Sequence, residues 1–154
     1  MKKLVIFFIL FISYLSFAED NPKAVINLTT GDINRFKMYL LSGVVNSAEY
    51  YKNNIKELKV VVVIHGDAYK FFIKDLNNSP YKDDKLLVEN QKELEAKLSY
   101  LSKNYGVKFI MCEQGMKGRK IDPKTLYPFV ELVENAFIAL VNWQNQGYAY
   151  IPIH

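Results

Sequence analysis

The residue of this chain best suited to chemistry is Cys112, its only cysteine. It follows the apolar run 107–111 and precedes a segment punctuated by glycines, 113–119. This pattern predicts a buried strand that ends in a turn, and in parallel α/β sheets ligands and reactive groups gather at the carboxyl ends of the strands. A thiol at such a position can act as a nucleophile or a sulfur carrier if it is exposed and ionised enough to react.

Several groups near Cys112 in the sequence could lower the pKa of its thiol. The backbone amides that follow it would donate hydrogen bonds to a thiolate if a helix starts there. Three cations also follow it, Lys117, Arg119 and Lys120. They would favour the thiolate if the chain folds back over it, whereas Glu113 opposes it. We predict that Cys112 is reachable from solvent and has a pKa below that of a free cysteine.

His65 is the second candidate site residue, because it ends the hydrophobic run 58–64. The carboxyl ends of neighbouring parallel strands lie on one rim of a sheet, so His65 could act as a base or hydrogen-bond partner of Cys112. The alternative is that His65 and Gly66 only form a tight turn from a strand to a helix. Arg119 is the third candidate, as a cation beside the thiolate.

The sequence predicts neither a metal nor a cofactor. His65, Asp67, Cys112 and Glu113 could approach one another, but no Cys-x-x-Cys or His-x-x-x-His spacing is present. The glycines of the segment 115–118 resemble part of a phosphate-binding loop, but the complete spacing is missing. Dinucleotide binding is therefore not predicted either.

The amino terminus has the three parts of a secretory signal. Lys2 and Lys3 are basic, residues 4–17 are almost wholly apolar, and Ser16 and Ala18 are small residues at the positions that a signal peptidase reads. We predict a signal peptide over 1–18, cleavage after Ala18, a periplasmic protein and no stable membrane anchor after cleavage. An uncleaved anchor is the alternative, although the apolar stretch is short for a membrane span.

The composition of the chain limits the classes of partner that it is predicted to bind. The 154 residues correspond to one ordinary domain and carry 20 Lys and Arg against 16 Asp and Glu, a formal net charge of +4. The charges of both signs are mixed along the chain, so nucleic acid is not a predicted partner. A single cysteine in an exported protein is a buried spacer, an intermolecular partner or a reactive thiol. The purely structural role stays open, because free cysteines are often buried.

Strand-like runs alternate with helical patterns after residue 22, which predicts βα units and a mostly parallel sheet. The predicted strands are 25–28, 58–64, 107–111, 130–133 and 148–153. Helices are predicted from 33 to about 51, over 68–74, from 87 to 105 and from 136 to 146, with a short turn at 123. Asp32, Asp122 and Asn135 are predicted N-caps, and Gly106 ends the long helix. Pro152 limits the last strand to an edge or a strand end.

Four landmarks occur in a characteristic order. They are Thr29-Thr30-Gly31-Asp32, Val63-Ile64-His65-Gly66, Gly106-Val107-Lys108-Phe109 leading to Cys112, and Gln146-Gly147-Tyr148-Ala149-Tyr150-Ile151. In this order they resemble the DsrE/DsrF-like sulfur-relay family over nearly the whole chain after the signal. The resemblance implies a Rossmann-like three-layer sandwich of about five strands over 19–154, assembled into trimers or hexamers. It also places Cys112 where some members carry sulfur as a persulfide.

Two functions follow as hypotheses. The first is a periplasmic sulfur-relay or thiol-handling protein that carries a persulfide on Cys112 and has a sulfur donor or acceptor protein as partner. The second is a non-catalytic oligomeric binding or scaffold module in which Cys112 is structural. The aromatic residues Trp143, Tyr148 and Tyr150 fit either a core or an oligomer interface.

Overall fold

The centre of the fold is a five-stranded sheet. The computed structural model describes residues 21–154, and the predicted signal peptide over 1–18 lies outside them. The strands are β1 (Lys23–Leu28), β2 (Lys59–Ile64), β3 (Lys108–Cys112), β4 (Val130–Val133) and β5 (Ala149–Ile153). Their order is β4-β3-β2-β1-β5, and every neighbouring pair is parallel. The predicted α/β class is confirmed, with β5 at an edge as Pro152 required.

The helices connect the strands in the manner of βα units. They are α1 (Ile33–Arg35), a π-helical segment (Phe36–Ser42), α2 (Gly43–Asn53), a 3₁₀ turn (Ala68–Phe72), α3 (Lys85–Tyr105), α4 (Glu113–Gly118), a second 3₁₀ turn (Pro123–Thr125) and α5 (Ala136–Asn145). In residues 21–154, no helix is long and apolar enough to cross a membrane.

The sheet is covered on both faces, which gives the three-layer sandwich. α2 and α3 pack on each other, and α5 packs against β1 and β2. The strand register shows which side chains meet α5. Asn27 lies beside Val63, and Val63 lies beside Ile110, so the three side chains share a face. Cys112 is two residues beyond Ile110 and returns to that face, because side chains alternate along a strand.

The helix ends follow the predicted signals. The side chains of Asp32, Asp122 and Asn135 accept hydrogen bonds from backbone amides of the turns that they begin. Gly106 ends α3 with φ of 61°, a left-handed conformation that glycine adopts without strain. β4 has the predicted bounds, whereas β3 begins one residue later than predicted and includes Cys112 as its last residue.

Candidate functional site

Cys112 and His65 open on the same cavity at the carboxyl end of the sheet. The cavity has a volume of about 510 Å³. One wall is the apolar side of α5, and the strands and their loops supply polar groups. The lining residues are Asn27, His65, Cys112, Asn135, Ala136, Phe137, Leu140, Val141, Gln144 and Tyr150. We call this cavity the thiol pocket.

Cys112 lines the thiol pocket, and the residue is only 6 % exposed. Its Sγ is 4.0 Å from the carbonyl oxygen of Glu134, the residue before the N-cap of α5. Cys112 is itself the residue from which α4 starts, with extended backbone angles. The sulfur is therefore held between the beginnings of two helices.

The surroundings of the thiol favour its ionised form. Burial raises the pKa of Cys112, but hydrogen bonds from surrounding groups outweigh burial and hold the pKa below its ordinary value. These donors are the backbone amides of Gly115, Ala136 and Gln114. The amides expected to donate if a helix follows the cysteine are thus in place, and one amide of α5 joins them.

Two of the nearby cations, Lys117 and Arg119, are directed to carboxylates rather than to the thiol. Lys117 pairs with Glu113 at 3.2 Å, one turn away on α4. Arg119 pairs with Asp67 at 3.3 Å, and its guanidinium carbon lies 5.0 Å from the centre of the Tyr69 ring. Arg119 therefore reaches the site through Tyr69, and the activation of the thiol comes from dipoles rather than from a full charge.

Tyr69 holds the backbone of Cys112 in place. The fully buried Tyr69 donates a hydrogen bond of 2.8 Å from its hydroxyl to the carbonyl oxygen of Cys112. Burial, together with the neighbouring Cys112, raises the pKa of Tyr69, so the hydroxyl keeps its proton. A Cβ added at Gly115 would lie 2.2 Å from the Tyr69 oxygen, so only glycine fits there. Tyr69 and Gly115 together fix the turn from β3 into α4.

A polar network forms the other side of the thiol pocket. Asn27, only 8 % exposed, accepts a hydrogen bond from Nε2 of His65 and donates one of 2.7 Å to the Tyr150 hydroxyl. The proton on Nε2 is assigned from this network, because the Asn27 oxygen can only accept. Burial, aided by the charges of His154 and Arg119, lowers the pKa of His65. His65 is therefore neutral at neutral pH.

Sequence reasoning missed Asn27, Tyr69 and Gly115 as site residues. Asn27 had a signal, since it is a polar residue inside the apolar strand β1. Among the three terminal aromatics, Trp143 and Tyr148 pack with ring centres 4.8 Å apart, whereas Tyr150 opens on the thiol pocket. Among residues 21–154, no group of three or more His, Cys, Asp or Glu side chains could hold a metal ion.

The fold and the site define a class: a single parallel α/β domain with a hydrogen-bonded cysteine at the end of a strand near the centre of the sheet. The sequence profile of the DsrE/DsrF-like family matches residues 20–153. This chain belongs to the DsrE/DsrF-like family, a family generally linked to sulfur relay.

The known proteins that resemble the chain include a sequence relative and a solved structure. The chain is 31 % identical over 153 residues to an uncharacterized protein of Aquifex aeolicus (strain VF5), a match that covers 99 % of this chain and 64 % of that protein. The chain thus spans less than two thirds of this relative. The solved structure of MTH1491, a protein of unknown function from Methanobacterium thermoautotrophicum, has a TM-score of 0.65 at 20 % identity, with coverage of 86 % of this chain and 99 % of that one. This likeness supports the fold.

Proposed function

We propose that this protein takes part in sulfur relay by carrying sulfur as a persulfide on Cys112. The observation that carries the proposal is the thiol itself, because its pKa is held low by amide hydrogen bonds and it lines a cavity. A low pKa increases the thiolate fraction at neutral pH, and the thiolate is the form that attacks a sulfane sulfur. Membership of a family generally linked to sulfur relay supports the same function.

The transfer needs no external oxidant or reductant. The Cys112 thiolate attacks the outer sulfur of a persulfide R–S–SH, a new S–S bond forms, and the old one breaks. The products are Cys112–S–SH and the thiolate RS⁻, so atoms and charge balance. Delivery to an acceptor protein is the same step with the acceptor thiolate as the nucleophile.

Cys112 is expected to be alkylated by iodoacetamide in the native protein. The alkylation rate should reach half its maximum at a pH below about 8.5, the pKa of a free cysteine. The reason is that burial is outweighed by the donors around the sulfur. The rate is measured across a pH series, and the mass of the protein incubated with a hydropersulfide is recorded without reductant. One added sulfur atom on the peptide that contains Cys112 is expected, and none in Cys112→Ser.

The alternative function is an oligomeric binding or scaffold module in which Cys112 is structural. The low exposure of Cys112, 6 %, favours this alternative. Alkylation only after unfolding, or a midpoint at or above about 8.5, would support it and remove the chemistry that a sulfur carrier needs.

We also propose that the chain is exported to the periplasm and begins at Glu19 after cleavage. The support is the sequence pattern of residues 1–18, basic, then apolar, then small. Protein recovered from the native host is expected to have the intact mass of residues 19–154. Full-length chains in the cytoplasmic fraction would contradict this.

Assembly into a trimer or hexamer is a further part of the proposal. Its support is the exposed apolar and aromatic side chains of the π-helical segment and α2, where Met38 is 61 %, Tyr39 56 % and Tyr50 65 % exposed. Apolar surfaces of this kind are typical of protein interfaces. Light scattering on the mature protein is expected to give three or six times the chain mass, and a monomer at micromolar concentration would be the contrary result.

A further inference from the structure

We infer that the sulfur donor of Cys112 is a small organic persulfide with an uncharged body, rather than an inorganic anion such as thiosulfate. The inference rests on the proposed function and specifies its substrate class. It is carried by the chemical character of the walls of the thiol pocket.

Apart from the Cys112 thiolate, the lining of the thiol pocket carries no full charge at neutral pH. Among the described residues that line it, there is no Lys, Arg, Asp or Glu. His65 is the one lining residue that could become a cation, and burial keeps it neutral. Arg119 and His154 act on His65 from outside the lining. A dianion such as thiosulfate would lose much of its hydration here without gaining a counter-charge.

The charges that act on His65 already have partners. Arg119 is paired with Asp67 at 3.3 Å. The His154 ring is hydrogen-bonded to the Thr29 hydroxyl at 2.7 Å. Neither group is therefore a free cation that could be turned towards an anionic donor without breaking a contact.

The α5 wall offers apolar contact to an organic body. Phe137, Leu140 and Val141 line the thiol pocket, and Phe137 is 75 % and Val141 40 % exposed. Covering them would remove apolar surface from water, which favours binding. The volume of about 510 Å³ also falls in the range of pockets that hold small organic ligands.

The polar side of the thiol pocket, formed by Asn27, His65 and Tyr150, can stabilise the thiolate that leaves in the transfer. Tyr150 accepts a hydrogen bond from the Asn27 amide, so its own proton points away from Asn27. In the transfer, Cys112 Sγ bonds to the outer sulfur of R–S–SH and the S–S bond breaks, with its electron pair leaving on RS⁻. The Tyr150 hydroxyl can donate a hydrogen bond to this thiolate.

The test uses two donors with the same reactive sulfur and different charge, benzyl hydropersulfide and 4-carboxybenzyl hydropersulfide, with thiosulfate as a third. The rate of persulfide formation on Cys112 is followed by mass spectrometry. Each rate is divided by the rate of the same donor with N-acetylcysteine, which removes intrinsic reactivity. We expect the benzyl donor to be favoured over the carboxybenzyl donor by about tenfold, on the basis of charge desolvation.

A pair of variants on α5 tests whether the donor binds in the thiol pocket. Val141→Lys places a cation on the wall of the thiol pocket, and Ile138→Lys places one on the same helix at a position that does not line it. Both positions are exposed, so both variants should fold. Val141→Lys is expected to reduce the preference for the benzyl donor by about fivefold, and Ile138→Lys is expected to leave it unchanged.

The outcomes separate the inference from the function on which it rests. Equal normalised rates, a preference for the carboxybenzyl donor or thiosulfate, or the same effect from both lysine variants would overturn the inference and leave sulfur carriage by Cys112 standing. Absence of the persulfide with every donor would overturn both.

Discussion

Gly115→Ala is expected to destabilise the protein by about 1–3 kcal/mol, the range for overfilling a packed interior. The new Cβ would lie 2.2 Å from the Tyr69 oxygen, which is held in place by its hydrogen bond to the Cys112 carbonyl. Because the Gly115 amide also donates to the thiol, its displacement is expected to raise the pKa of Cys112. Urea unfolding and the pH dependence of alkylation measure the two effects.

Two controls make this prediction specific. Gly118→Ala lies on the same short helix, and its added Cβ has no atom within 4 Å, so it is expected to be neutral or slightly stabilising. Tyr69→Phe removes the oxygen that causes the clash, so Gly115→Ala should cost less in that background. The rescue should be partial, since a ring carbon remains at 3.0 Å. Full additivity of the two substitutions would refute the steric explanation.

Asn27→Asp is expected to raise the pKa of His65 from below its ordinary 6.5 to above that value, because a carboxylate would then accept from Nε2 and favour the imidazolium. The pKa is measured by NMR titration, with His154→Asn used to assign the two histidines. Asn135→Asp is the matched control, because Asn135 also lines the thiol pocket but caps α5 instead of contacting His65. An equal shift in both variants would mean that the Asn27 contact is not the cause.

The sign of the pH effect on stability follows from the same contact. In the natural protein the folded pKa of His65 is lowered, so its contribution to the free energy of unfolding is present above the unfolded pKa, 6.5, and is lost as the pH falls through the folded value. In Asn27→Asp the folded pKa is raised, so the contribution of His65 is present below 6.5 and is lost as the pH rises through the raised folded value. Unfolding titrations on both sides of these values measure the reversal.

Local signals account for the parts of the fold that the sequence predicted. The unbroken apolar run of β2 has buried neighbours on both faces, and the caps Asp32 and Asn135 satisfy amides that a helix start leaves free. The π-helical segment could not be predicted, because its side chains keep the spacing of an ordinary helix in the sequence. Phe36, in its first turn, stacks on Phe71 with ring centres 4.2 Å apart, a contact made only in the folded chain.

The position of the candidate site and the amide donors that follow the cysteine were predicted, whereas the partners of the cations were not. The carboxyl ends of β2 and β3 bring His65 and Cys112 to one pocket, as expected for parallel neighbours. The partners of the cations depend on distant residues, since Arg119 meets Asp67 from another loop. The same holds for Tyr69, which approaches Cys112 from the 3₁₀ turn after β2. The roles of Cys112, His65 and Arg119 in a reaction stay predictions.

The edge strand β5 limits how the sheet of one molecule can pair with the sheet of another copy. The Ile153 carbonyl accepts from the Thr29 amide at 2.9 Å, so Ile153 points its backbone groups towards β1 and Pro152 points away from it. Pro152 has no N–H, which leaves a gap in the donor row on the free edge. A strand from another molecule could not pair along the full length of β5. This edge therefore resists the edge-to-edge pairing of sheets that leads to aggregation.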